Sequence, residues 1–118
     1  MLRSLVLILC LFPAFGSAQK ASETNAGELR WLDRTTGELQ SFIISTGKPV
    51  TLGPLDIHLE ACRYPEGELS LDAFALLAIH DTRSKEQLFE GWMVASSPAL
   101  NALEHPRYDV WVLRCKML

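Results

Sequence analysis

The chain has 118 residues, of which 48% are hydrophobic, with 11 basic and 14 acidic side chains and a formal net charge of −3. That is one domain's worth of chain, with apolar residues enough for a core of its own. The arginines and lysines stand mostly as singles in a mildly acidic whole, so there is no electrostatic basis for binding nucleic acid or an anionic membrane surface.

Residues 1–18 have the layout of a secretory signal peptide. Arg3 supplies the charged start, 5–12 is an unbroken apolar run, and Gly16-Ser17-Ala18 supplies the small residues a signal peptidase needs. The run falls short of the roughly 20 residues that span a bilayer. Leu9 before Cys10 is too large for a lipid-attachment site. Cleavage after Ala18 is expected, and the protein is then exported with no membrane span left. Cys10 leaves with the signal, and Cys62 and Cys115 remain. In an oxidising compartment two cysteines most simply form one disulfide, with free thiols or half a metal site as the alternatives.

Residues 19–28 are small and polar without periodicity, and read as a flexible leader ahead of a single β domain at 29–118. From Leu29 onward, short segments rich in branched and aromatic residues alternate with turn chemistry. Strands are expected at 29–33, 39–45, 49–52, 55–63, 73–79, 88–95 and 108–116. In the fourth, Leu55, Ile57, Leu59 and Ala61 alternate with Asp56, His58, Glu60 and Cys62, giving one buried and one wetter face. The fifth is apolar on both faces, as expected of a central, doubly covered strand. One helical passage is expected at 96–104, with Ser97 as N-cap, Pro98 at the first helical position and His105-Pro106 as the stop. Seven short strands and one short helix before the last strand indicate an all-β fold, a small β-sandwich or partly closed barrel.

Three groups of residues invite a chemical reading. Asp56, His58 and Glu60 project from one strand face and could contribute to a metal site whose other ligands the sequence does not identify; a solvated polar face of a half-buried strand is the plainer reading. Ser96, Ser97, His105 and Asp109 contain the residue types of a serine hydrolase, but the glycine-flanked serine elbow is missing. Trp92, Tyr108 and Trp111 could be core packing or a docking patch. His80 ends an apolar strand as a turn or core-edge histidine, and Gly53 and Gly91 mark bends or close packing.

The stretch Gly91-Trp92-Met93, then Ala95-Ser96-Ser97-Pro98-Ala99-Leu100-Asn101-Ala102-Leu103-Glu104-His105-Pro106, then Tyr108-Asp109-Val110-Trp111, followed by Cys115, resembles the hallmark of a family of exported proteobacterial proteins. That family is catalogued as domain of unknown function 2155. Leu32-Asp33-x-x-Thr36-Gly37 and the Ala61-Cys62 strand end fit it as well, so the resemblance covers residues 29–116. Where an aromatic is expected after Trp92-Met93, this chain has Val94. The resemblance implies a periplasmic location and no established activity. It also implies a gene neighbourhood that includes an accessory subunit of respiratory complex I. No catalytic, cofactor-binding or metal residue follows from it. The expected role is that of a non-enzymatic accessory or interaction module of an envelope protein complex. In that role Trp92, Ser96, Ser97, Pro98, His105, Tyr108, Asp109 and Trp111 form the interaction motif, and a Cys62–Cys115 disulfide holds the last strand. A periplasmic small-ligand or metal-binding protein is the alternative.

Overall fold

Eight strands follow one another in the computed structural model, which describes residues 21–69 and 71–118; the expected signal peptide lies outside the described residues. They are β1 (Ala21–Thr24), β2 (Ala26–Asp33), β3 (Leu39–Ser45), β4 (Val50–Leu52), β5 (Leu55–Pro65), β6 (Phe74–Asp81), β7 (Gln87–Val94) and β8 (Tyr108–Lys116). All pairings are antiparallel. One sheet runs β1-β5-β6-β7, with β4 beside the first residues of β5; the other runs β3-β2-β8. β7 and β8 are not paired, so the two sheets form an all-β sandwich and not a closed barrel.

The chain passes between the sheets at two corners on one side. At Asn25 it leaves β1 for β2, and at 46–49 it leaves β3 for β4. The corners are tied together: the Thr46 amide donates to the Asn25 carbonyl at 2.9 Å. The β2–β3 hairpin turns at Gly37, whose φ of 78° favours glycine. Its amide donates to the Asp33 carbonyl at 2.8 Å.

The flexible leader expected at 19–28 is overturned over its described part. Ala21 to Thr24 pair residue for residue with Pro65 to Cys62, and Ala26 is fully buried. This strand is imposed by its partner, since Ala-Ser-Glu-Thr has no strong β preference of its own. The Thr24 hydroxyl secures the corner by donating to the Ala26 carbonyl at 2.8 Å.

Alternation along β5 holds until a register shift between Leu59 and Ala61. One extra residue there reverses the parity of everything after it. Cys62, expected on the wetter face, is therefore fully buried, as Tyr64 nearly is. The bulge turns Cys62 toward β8, where it is joined to Cys115 with 5.7 Å between Cα atoms. The disulfide thus staples one sheet to the other.

The core is the space between the sheets. Leu29, Trp31, Ile44, Leu55, Ile57, Leu77, Ile79, Phe89, Met93, Val110 and Val112 meet there. β6 is central in its sheet, but it is doubly covered only in part. Ala75, Leu77 and Ile79 are buried, while Phe74 and Leu76 on the other face stay half-exposed. Among the described residues, no helix is long and apolar enough to cross a membrane.

Candidate functional site

The segment between β7 and β8 carries half of the expected motif residues, Ser96, Ser97, Pro98 and His105, and it is not a helix. Ser96–Glu104 runs as turns and bends to Asn101 and then as irregular chain. Ser97 opens a β-turn instead of capping a helix: the Leu100 amide donates to the Ser97 carbonyl at 3.0 Å, with Pro98 in the second turn position that its ring favours. A nine-residue helix is marginal by itself, and tertiary anchors win. The Ala95 amide donates to the Ala73 carbonyl at 2.9 Å. Ser96 donates through its amide (3.0 Å) and hydroxyl (2.8 Å) to the Asp72 carboxylate. Asn101 reaches back to the edge of β7, donating from Nδ2 to the Trp92 carbonyl at 2.9 Å. Leu103 is buried, only 2% exposed, and roots the segment in the core.

Gly91 belongs to this arrangement. Its φ is 153°, and a Cβ added there would stand 2.9 Å from Asn101 Nδ2. A side chain at 91 would displace the amide that covers the β7 edge.

At the other end of the segment, His105 Nδ1 accepts from the amides of Arg107 (3.0 Å) and Tyr108 (3.1 Å), so the ring closes the turn into β8. Arg34 donates to the His105 carbonyl at 2.7 Å and lies 3.3 Å from the Asp109 carboxylate. Next to it, Asp33 takes both ends of the Arg107 guanidinium at 3.0 Å. It also accepts the amides of Thr35 and Thr36. The Arg107 hydrogen bonds, helped by those amides and opposed by burial, hold the Asp33 carboxyl down at about 2. Two distant stretches of the family resemblance, 32–37 and 105–109, therefore meet in space. An Asx-turn at Asp33-Arg34-Thr35-Thr36 is readable from sequence; the partners Arg107, Arg34, Asp72 and Asn101 are not.

The three motif aromatics go to three places. Tyr108 is buried and stacks on Trp31, with centroids 5.6 Å apart and planes at 21°. Trp92 is half-buried and outside the core, next to buried Met93. The Arg63 guanidinium lies 5.0 Å over its ring, and Phe74 is nearby. Trp111 alternates with core residues Val110 and Val112, so it faces outward from the other sheet. There it lines a groove of about 360 Å³ together with Pro98, Ala99, Ala102, Asp109 and Val110. A single docking patch of Trp92, Tyr108 and Trp111 is thus not what forms: Trp92 and Trp111 occupy outer faces of opposite sheets.

Asp56 and His58 stand together on the outer face of β5, Oδ2 to Nε2 at 3.0 Å. His80 lies edge-on to His58 at 5.8 Å. Lys48, His58, Glu60 and His80 help line a shallow groove of about 410 Å³. Among the described residues, no three His, Cys, Asp or Glu side chains are grouped to hold a metal ion. Ser96 and His105 each have their own structural hydrogen bonds, and none joins one to the other.

Residues 27–115 match the family described as "Uncharacterized protein conserved in bacteria (DUF2155)". A curated relative, "Uncharacterized protein RP359" of Rickettsia prowazekii (strain Madrid E), is 29% identical over 102 residues. The alignment takes in 84% of this chain and 65% of that protein, so the chain spans just under two thirds of the relative's length. No solved structure matches. Because the family match runs from β2 to β8 and includes the disulfide, both sheets and the 95–107 segment, the chain belongs to the DUF2155 family.

Proposed function

We propose that this chain is a non-enzymatic periplasmic β domain that serves as an accessory or interaction module of an envelope protein complex. The observation that carries this reading is the groove of Trp111, Pro98, Ala99 and Ala102. A large aromatic ring stands outside the core, beside small apolar side chains on a segment pinned at both ends. Rigid aromatic anchors in apolar recesses are where binding energy concentrates at protein interfaces. Support also comes from Ser96 and His105, whose polar atoms hold the segment in shape. The cysteines fit an oxidising compartment.

The test is purification of the tagged protein from its native envelope in mild detergent, beside Trp111→Ala and Ala99→Arg. One protein co-purifying at near-equal stoichiometry, and lost with either substitution while the disulfide stays intact, is the expected result. A protein that comes off alone at native expression and low salt overturns the reading.

The second reading, a carrier of a small polar ligand, is favoured by the groove of Lys48, His58, Glu60 and His80. It predicts ligand-dependent thermal stabilisation that His58→Ala removes.

A further inference from the structure

The edges of the two sheets are not treated alike. β7 has Asn101 bonded to its edge. β8 carries Asp109, Arg114 and Lys116, β1 carries Glu23, and β4 has only three residues. Charge, shortness and covering loops are the usual means of keeping an edge from pairing with another chain. β3 has none of them. Leu39-Gln40-Ser41-Phe42-Ile43-Ile44-Ser45 is seven residues without charge, proline or glycine. Among the described residues it pairs with β2 on one side only, in unbroken register.

The backbone groups on that edge follow from two hydrogen bonds. The Asp33 amide donates to the Glu38 carbonyl, and the Thr46 amide to the Asn25 carbonyl. In an antiparallel ladder, hydrogen-bonded and non-hydrogen-bonded pairs alternate. The pairs that include Gln40, Phe42 and Ile44 are therefore the bonded ones, and Leu39, Ser41, Ile43 and Ser45 turn their N–H and C=O away from β2. Ser45's carbonyl is taken by the Lys48 amide at 3.2 Å. Leu39, Ser41 and Ile43 remain, three donors and three acceptors in a row. Two of these side chains are large exposed hydrophobics, Leu39 at 52% and Ile43 at 44%.

We propose that β3 is a homodimer interface, at which two copies of this chain pair antiparallel about a two-fold axis at Ser41. In that register Ser41 faces Ser41, and Leu39 of each copy faces Ile43 of the other. All three outward-turned residues find outward-turned partners, which gives six backbone hydrogen bonds and joins the three-stranded sheets into one of six. The exposed Leu39 and Ile43 become direct cross-strand neighbours, the unit of sheet stabilisation. β3 itself brings no charge to the seam; the neighbouring cation is Arg30 of β2, which donates from Nε to the Ser41 hydroxyl at 3.2 Å in each copy. The ends complement each other too. Lys48 folds back beside Ser45, and this register brings Ser45 of one copy to within a residue of Glu38 of the other. Glu38 and Lys48 are both exposed, and neither is in an ion pair among the described residues.

Sedimentation of the disulfide-bonded domain over a range of concentrations tests this, beside Ile43→Lys and Ser41→Pro. Ile43→Lys sets a lysine against Leu39 twice per dimer. Ser41→Pro removes an N–H that bonds nothing within one copy, a position where an edge strand tolerates proline. The wild type is expected to double in mass with rising concentration, and both variants to stay monomeric with an unchanged circular dichroism spectrum. If Ser41→Pro fails to fold, Ile43→Lys decides alone. The register is read separately: opposed Ser41 residues have Cα atoms about 5.5 Å apart, within disulfide reach. Ser41→Cys should then cross-link copy to copy, and Ile43→Cys should not. A wild type that stays monomeric up to about 1 mM, or a dimer indifferent to Ile43→Lys, overturns the proposal.

Discussion

Asp33 at the end of β2 and Arg107 just before β8 face each other through two parallel hydrogen bonds of 3.0 Å, across 74 residues of sequence. The Asp33 side chain is 6% exposed and its carboxyl is held at about 2. A folded-state value below the unfolded one stabilises the fold above the unfolded value, and that contribution is lost as pH falls through the folded one. The stabilisation from Asp33 is therefore complete above about pH 5 and fades toward pH 2. Urea midpoints between pH 6 and pH 2 should show a wild-type decline that Asp33→Asn lacks in part, so that the two curves converge on acidification. Parallel curves would show that the pair adds nothing pH-dependent.

Gly91 and Asn101 are coupled by the 2.9 Å that a Cβ would leave between them. Gly91→Ala should cost about 1–3 kcal/mol, from unfavourable backbone and a displaced amide. Asn101→Ala should cost about 0.5–1.5 kcal/mol, the worth of one hydrogen bond to the Trp92 carbonyl. Because part of the first cost is the loss of the second contact, the double variant should lose less than the sum. Chemical denaturation of all three measures it; strict additivity would place Asn101 elsewhere in solution.

Cys62 and Cys115 are separated by 53 positions. Closing a loop of that size removes unfolded-chain entropy worth about 4 kcal/mol. A Cys62→Ala/Cys115→Ala variant should show a drop in unfolding free energy of that order, and reductant should reproduce it in the wild type.

The tryptophans separate packing from recognition. Trp31 is buried against Tyr108, so Trp31→Ala should cost about 3–5 kcal/mol. Trp111 lies outside the core, and Trp111→Ala should cost about 1 kcal/mol or less, with its main effect on the proposed complex. Equal stability losses for the two would make Trp111 a packing residue.

Much of the fold was legible in the sequence because its signals are local. Alternation and turn residues placed β3 and β8 to the residue, and the other long strands to within three residues at each end. Non-local effects were not legible. β1 has no pattern of its own and exists because β5 offers an edge. The bulge after Leu59 flips Cys62 inward, and strict alternation cannot foresee an inserted residue. The Ser97-Pro98 pair suits both a helix start and a β-turn; Asn101 and Leu103 decide between them through contacts that no window of sequence contains. Trp92 and Trp111 are close in sequence, but β7 and β8 belong to different sheets, so sequence proximity misplaced the site. The Cys62–Cys115 pairing was readable from the count of cysteines and the expectation of export.

The pairing of β2 with β8 has a consequence for how such a protein is made. β2 is the second of the eight strands to be synthesised and β8 is the last of them, yet the two lie side by side, hydrogen-bonded, in one sheet. Until β8 arrives, Trp31 lacks Tyr108, Asp33 lacks Arg107 and Cys62 lacks Cys115. Non-local pairings of this kind form slowly. A growing chain therefore has little to lock it early, and it stays open until β8 pairs with β2 and brings Cys115 to Cys62.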